Sequence, residues 1–365
     1  MSPSFVIIAT AVLVAVPCAL LGTLLVLRQM AMMGDALSHS VLPGIVFAFF
    51  LTESLGPIVS LVGAAVFGLI TVALVEALKN TGKVKEDSSI GTVFTALFAL
   101  GVFLISRFAN GVHLDLQHVL YGAIELSSLN TLIIGGVSLG PRSFWTLGIV
   151  TTLVVGLVLL LYKEFKIATF DPALAAAVGF SPILIHYLLM GVVSVTVVGA
   201  FDSVGAILVV AFLIAPPATA YLLTERLSHM MALAVAVGVA SAVGGYYLAA
   251  FFDVSVAGMM AVATGALFVV ALLFSPSQGL IAAALRGRRN RRSFSRGLLL
   301  SGLDTLGGHA TEERLVRRLD WEGDAFSRAF EDALAGGFVC RSAGEEVALT
   351  REGRDAARQL AQVTA

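Results

Sequence analysis

Charge is what this chain has least of. Only 13% of its 365 residues are Asp, Glu, Lys or Arg, about half the share of a soluble domain, and the mean hydropathy is +0.94. The shortage is uneven. Residues 1–285 hold nine basic and twelve acidic residues, 286–296 hold six Arg, and 297–365 hold eight Arg against twelve acidic residues. A soluble enzyme, a disordered chain and a soluble repeat protein are thereby excluded for the first 285 residues. Cysteine is equally scarce. Cys18 and Cys340 fall in unlike regions, which excludes a disulfide framework and a Cys-based zinc site. No G-x-x-x-x-G-K-[ST] phosphate loop occurs, and no succession of acidic residues runs through the apolar segments as proton-coupled carriers require. A basic n-region is missing too. The run Phe5–Leu27 is too long for a cleaved signal and reads as a first span.

What is there is apolar length. A helix needs about 20 apolar residues to cross a bilayer core, and nine stretches qualify: 5–27, 31–51, 57–78, 90–107, 144–162, 183–200, 203–223, 229–250 and 255–274. The expected fold is therefore an all-α polytopic membrane protein of about nine spans, with eight as the alternative because 31–51 and 203–223 carry Pro and Gly. The segment 116–137 is interrupted by Gln117, His118, Glu125 and Asn130 and reads as a re-entrant or interfacial helix. Arg28, Lys79, Lys83, Lys85, Lys163, Lys166 and Arg226 fall on one side of a nine-span arrangement, and only Arg107 and Arg142 on the other. The positive-inside rule places the first group in the cytoplasm, the N-terminus outside and the C-terminus inside.

Three domains follow: a transmembrane domain over 1–285, an Arg-rich linker over 286–296 that anchors on anionic lipid, and a soluble domain over 297–365. The last reads as a helix from Leu298 to Leu306 and helices capped by Thr311, Asp324 and Thr350. Short strands at Phe338–Arg341 and Val347–Leu349 complete it. The order resembles a winged helix-turn-helix, a small α+β fold. Its net charge of −4 disfavours nucleic acid. His309, Asp320, Glu322 and Asp324 read as solvated surface, with a metal-sensing site as the alternative.

The chemistry concentrates in Met32-Met33-Gly34-Asp35-Ala36-Leu37-Ser38-His39. Asp35 and His39, four apart, share one helix face inside an apolar run, where ionisable residues face the bundle interior or an aqueous path. A carboxylate with an imidazole suits manganese, iron or zinc. A structural Asp–His pair that fixes helix packing explains the same residues. Pro43-Gly44 suggests a kink beside the pair, and Met32 reads as packing.

The string Gly34-Asp35-Ala36-Leu37-Ser38-His39-Ser40-Val41-Leu42-Pro43-Gly44 resembles a signature of zinc/manganese ABC-transporter permeases. The run from Val204 to Ala220, centred on Ala215-Pro216-Pro217-Ala218, resembles the family's second signature. The similarity covers about 5–280. It implies that Asp35 and His39 contact metal on the translocation path and that the ATPase is a separate cytoplasmic chain. It also implies a metal-binding protein docking outside and a second permease protomer that completes the path. Transported metal is then the only ion expected, with no covalent cofactor and no catalytic residue in this chain. Manganese is favoured because a C-terminal extension of this kind accompanies manganese systems among relatives.

The loop Phe165–Pro182 carries an N-cap, Asp171, with Pro172 at the first helical position, and Gly179 as a stop. Phe170, Leu174, Val178 and Phe180 give it an apolar side. In ABC permeases such a helix is the coupling helix that seats in the ATPase; an ordinary interfacial helix is the plain alternative. His113, Asp115 and His118, with Asp202 at the turn between spans six and seven, are weaker candidates for the metal path and read first as solvated loop residues. His186 and His229 read as interfacial. Two other functions stay open on the residues: a membrane-anchored regulator acting through the C-terminal domain, and an ABC permease for a metal chelate.

Overall fold

The computed structural model describes residues 2–52, 57–108, 124–125, 131–134, 137–276, 278–321, 323–341 and 346–364. They form two compact units, Met1–Ser275 and Pro276–Ala365.

The first unit is a helical bundle: α1 Pro3–Leu27, α2 Met32–Thr52, α3 Pro57–Asn80, α4 Glu86–Phe108, α5 Arg142–Leu160, α6 Tyr162–Phe170, α7 Pro172–Ala177, α8 Pro182–Val204, α9 Ala206–Leu223, α10 Leu227–Phe252 and α11 Val256–Phe274. Among the described residues, nine of these helices are long and apolar enough to cross a membrane, at the nine places the hydropathy marks. Helices are the expected solution, because lipid offers no hydrogen bonds and the backbone must satisfy itself. The bundle is built around α1, whose Ala11, Val14, Cys18, Leu21, Leu24 and Leu25 have no exposure and which packs on α9 and α10. Small residues set the spacing elsewhere. A Cβ on Gly44 of α2 would stand 2.5 Å from the Gly63 carbonyl oxygen of α3, so these two backbones touch.

Several details differ from the sequence expectation. Spans six and seven are joined by Gly205 alone, at φ 79° and ψ 164°, a conformation open essentially only to glycine. Asp202 consequently lies in the last turn of α8 and not in a turn. The stretch 116–137 is described mainly from Thr131, where it is no helix. Thr131–Ile134 (β1) and Val137–Pro141 (β2) pair antiparallel, as β-branched residues around Gly135-Gly136 favour.

The second unit runs α12 Leu280–Thr305, β3 His309–Thr311, α13 Glu312–Leu319, α14 Gly323–Ala335, β4 Val339–Arg341, β5 Glu346–Leu349 and α15 Arg351–Thr364. Its three strands form an antiparallel sheet in the order β3-β5-β4. Leu299, Leu300, Leu303, Leu315, Phe326, Phe330, Val347 and Leu349 make its core. The stretch expected as a linker, 286–296, is helical throughout and continuous with the tail's first helix. Arginine is a good helix former, and no proline interrupts the run. The compact unit therefore starts about ten residues before the expected boundary. Thr350 caps α15 through the Gly353 N–H at 3.1 Å, whereas Thr311 makes no side-chain cap bond and α14 begins at Gly323, ahead of Asp324.

Candidate metal site and docking surface

Asp35 lies in the first turn of α2 and His39 one turn on. His39 Nε2 stands 3.5 Å from Asp35 Oδ1, with the two side chains 33% and 32% exposed. A metal that binds two adjacent ligand atoms at about 2.1 Å holds them about 3.0–3.4 Å apart, so a small rotamer change closes the pair on one ion. The imidazole is braced from α4: the Phe94 ring stacks on it at 5.7 Å and 29°, and Phe98 meets it edge-on at 5.8 Å. Ser38 Oγ donates to the Asp35 carbonyl at 2.7 Å. Gly34 presses on Leu213 of α9 with no room for a Cβ, which ties the first motif to the second. Gly101 of α4 admits Pro43, since a Cβ there would stand 2.9 Å from Pro43 Cδ. The two signatures thus form one packed region, with the Asp–His pair left half open. Met32 is exposed and joins no polar contact that the structure shows. Among the described residues no third His, Cys, Asp or Glu joins the pair.

His113, Asp115 and His118 lie outside the described residues, as does the side chain of Asp202, though its backbone is helical. In the second unit His309 is on β3 and Asp320 ends α13 in the left-handed region at φ 50°; Glu322 lies outside the described residues.

The loop helix forms as the sequence indicates. Asp171 Oδ1 accepts from Leu174 N at 2.9 Å, Pro172 opens α7 and Gly179, at φ 98°, ends it. Ala175 is buried, whereas Phe170, Leu174 and Val178 are 59%, 50% and 59% exposed. Ile183 and Leu184, at the start of α8, are exposed as well. The run is too short to enter a bilayer core, and its open apolar side suits a protein partner.

Sequence reasoning missed a polar group at the same end of the bundle. Glu76 of α3 accepts from Tyr187 OH of α8 at 2.6 Å and stands 3.0 Å from His186 Nε2. Lys79 pairs with Glu86 across α3 and α4. Arg28, past the end of α1, donates from Nε to Thr169 Oγ1 of α6 at 3.1 Å. Burial lowers the Arg28 pKa, from a start so high that the guanidinium stays charged. The available signal was Glu76 itself, an acid inside an apolar span.

The ABC 3 transport family matches residues 4–275. The manganese transport system membrane protein MntD of Bacillus subtilis is 52% identical over 280 residues, 77% of this chain and 95% of that protein. The zinc transport system membrane protein TroD of Treponema pallidum is 42% identical over 353 residues, 95% of this chain and 96% of that protein, so the second unit has a counterpart there. Among solved structures, PsaBC from Streptococcus pneumoniae in complex with Fab superposes with a TM-score of 0.63 at 30% identity, covering 76% of this chain and 94% of that chain. Family match, relatives and fold agree: the chain belongs to the ABC 3 transport family and is a metal ABC permease.

Proposed function

We propose that this chain is the membrane subunit of an ATP-driven importer for a divalent transition metal, with Asp35 and His39 as transient ligands. The observation that carries the reading is that pair: a carboxylate and an imidazole 3.5 Å apart, each about a third exposed, in a span that holds no other ionisable residue. Two protein ligands hold an ion weakly, which suits passage over storage. A second protomer supplies the other wall of the path, and the half-open face of α2 supports this. The 52% identity to a manganese system supports manganese. The tail does not add to that, because the relative that matches through it is named for zinc.

ATP is hydrolysed on a separate ATPase that receives α7. Phe170, Leu174 and Val178, held outward by the Asp171 cap and the Gly179 stop, support this docking role. An extracytoplasmic binding protein delivers the metal, and Asp115, His118 and Asp202 are the candidates to meet it. The excess of Lys and Arg at the Arg28 end supports placing that end, α7 and the C-terminus in the cytoplasm. The second unit is a winged-helix-like domain with a protein partner. Its helix–strand–helix–helix–strand–strand–helix order and net −4 over 297–365 support both statements.

Cells carrying Asp35→Asn or His39→Ala should keep normal amounts of assembled transporter while metal uptake falls more than tenfold. Undiminished uptake by both variants would refute the assignment.

A further inference from the structure

The docking helix α7 is bracketed by two polar ties, one leading to α2, which holds the metal pair, and the other to α3, which packs on it. On its N-terminal side, Thr169 stands two residues before the Asp171 cap and accepts from Arg28 Nε at 3.1 Å. Arg28 opens the short connection to α2, whose first turn contains Asp35. That connection is stiff. Gln29 takes the left-handed region at φ 60° without being glycine, and the turn is closed by Gln29 N to the Val26 carbonyl and Met30 N to the Leu25 carbonyl, at 3.0 and 2.9 Å. On the C-terminal side, Ser181 caps α8. One turn later His186 and Tyr187 both address Glu76 on α3, which packs on α2.

Between the two ties lies a cavity of about 380 Å³ lined by Arg28, Gln29, Thr169, Pro172, Pro182 and His186. On its walls two buried nitrogens go unspent. Arg28 Nη2 has no hydrogen-bond partner, and His186 Nε2, though 3.0 Å from Glu76 Oε1, is off the angle a hydrogen bond needs. Buried donors are ordinarily satisfied. An open space beside the docking helix, lined by two nitrogens that no hydrogen bond holds in place, leaves room for that helix to shift.

We propose that Arg28 and Tyr187 are positioning residues of transport: through Thr169 and Glu76 they pass displacement of the docking helix to α2 and so open and close access to the Asp35–His39 pair. They touch neither metal nor nucleotide. The proposal rests on the reading of α7 as the ATPase dock and goes beyond it by naming the connection. Coupling of this kind is shown by the response of both ends, never by position between them.

The test uses the full chain reconstituted in vesicles with its ATPase and supplied with manganese or zinc alone. Thr169→Val removes the acceptor at nearly constant shape, Thr169→Ser keeps it, and Tyr187→Phe removes the donor to Glu76. Thr169→Val and Tyr187→Phe should each keep ATPase yield and hydrolysis rate within twofold of the parent, while metal moved per ATP falls at least fivefold; Thr169→Ser should restore it to within twofold. Parent-like metal per ATP in both variants, or equal loss in Thr169→Ser and Thr169→Val, overturns the proposal. Leu174→Glu is measured alongside. It should lose the ATPase, and full retention of the ATPase there would overturn the docking reading itself, whatever the Thr169 variants do.

Discussion

The Asp35–His39 pair meets an aromatic wall at its imidazole. The nearest side chains across α4 are the Phe94 and Phe98 rings, which fix the imidazole plane without offering it a hydrogen bond. Its Nε2 is left to Asp35 and to whatever enters. Replacing Phe94 by Ala removes the stacked ring and frees the imidazole to rotate. Uptake should then drop several-fold at low metal and recover at high metal, as checked by the concentration dependence of transport. Gly34 was legible as part of a motif but its role was not. It is the point where α2 meets Leu213 of α9, a contact between residues 179 positions apart that no local pattern encodes. Glu76 was missed for a related reason. Its meaning depends on His186 and Tyr187, which a linear reading places in another span.

At the scale of the element, local chemistry wrote α7 almost entirely. The Asp171 cap, Pro172 and Gly179 stop act within a few residues of one another, and the helix appears at Pro172–Ala177 where the sequence sets it. The Phe170→Glu, Leu174→Glu double variant should insert normally and lose most of its co-purifying ATPase, since charge replaces two exposed apolar side chains of the docking surface. Where elements depended on longer context, the reading slipped. The Arg-rich run 286–296 was expected as a linker anchored on anionic lipid, but it is helical and continuous with Leu299, Leu300 and Leu303 further along, which pack in the tail's core. The connection between spans six and seven was expected at residues 201–202 and lies instead at Gly205 alone, because only tertiary geometry reveals the φ of 79°. Gly44→Val should be costly. Its side chain must fit where a Cβ already meets the Gly63 carbonyl at 2.5 Å, so overpacking of about 1–3 kcal/mol is expected, read as a lower melting temperature in detergent.

Across the whole molecule, the apolar periodicity gave nine spans and the composition break gave two parts, because both are sums over many residues and tolerate local error. The second unit has its own core and its own sheet, so deleting 276–365 should leave insertion intact and residual uptake measurable while changing the transport rate. Failure of the truncated chain to insert would make the tail part of the permease fold. Thr350→Ala, which removes both the cap to Gly353 and the bond to the Gly337 carbonyl, should destabilise that unit by about 1–2 kcal/mol without altering uptake by the membrane unit. The most direct test of the account is uptake of manganese and of zinc into vesicles that hold the complete transporter, with ATP supplied to the ATPase side, compared between the parent and Asp35→Asn. The parent should accumulate one or both metals in an ATP-dependent way, and the variant should lose at least tenfold at equal assembly. Equal accumulation by the two would contradict the account.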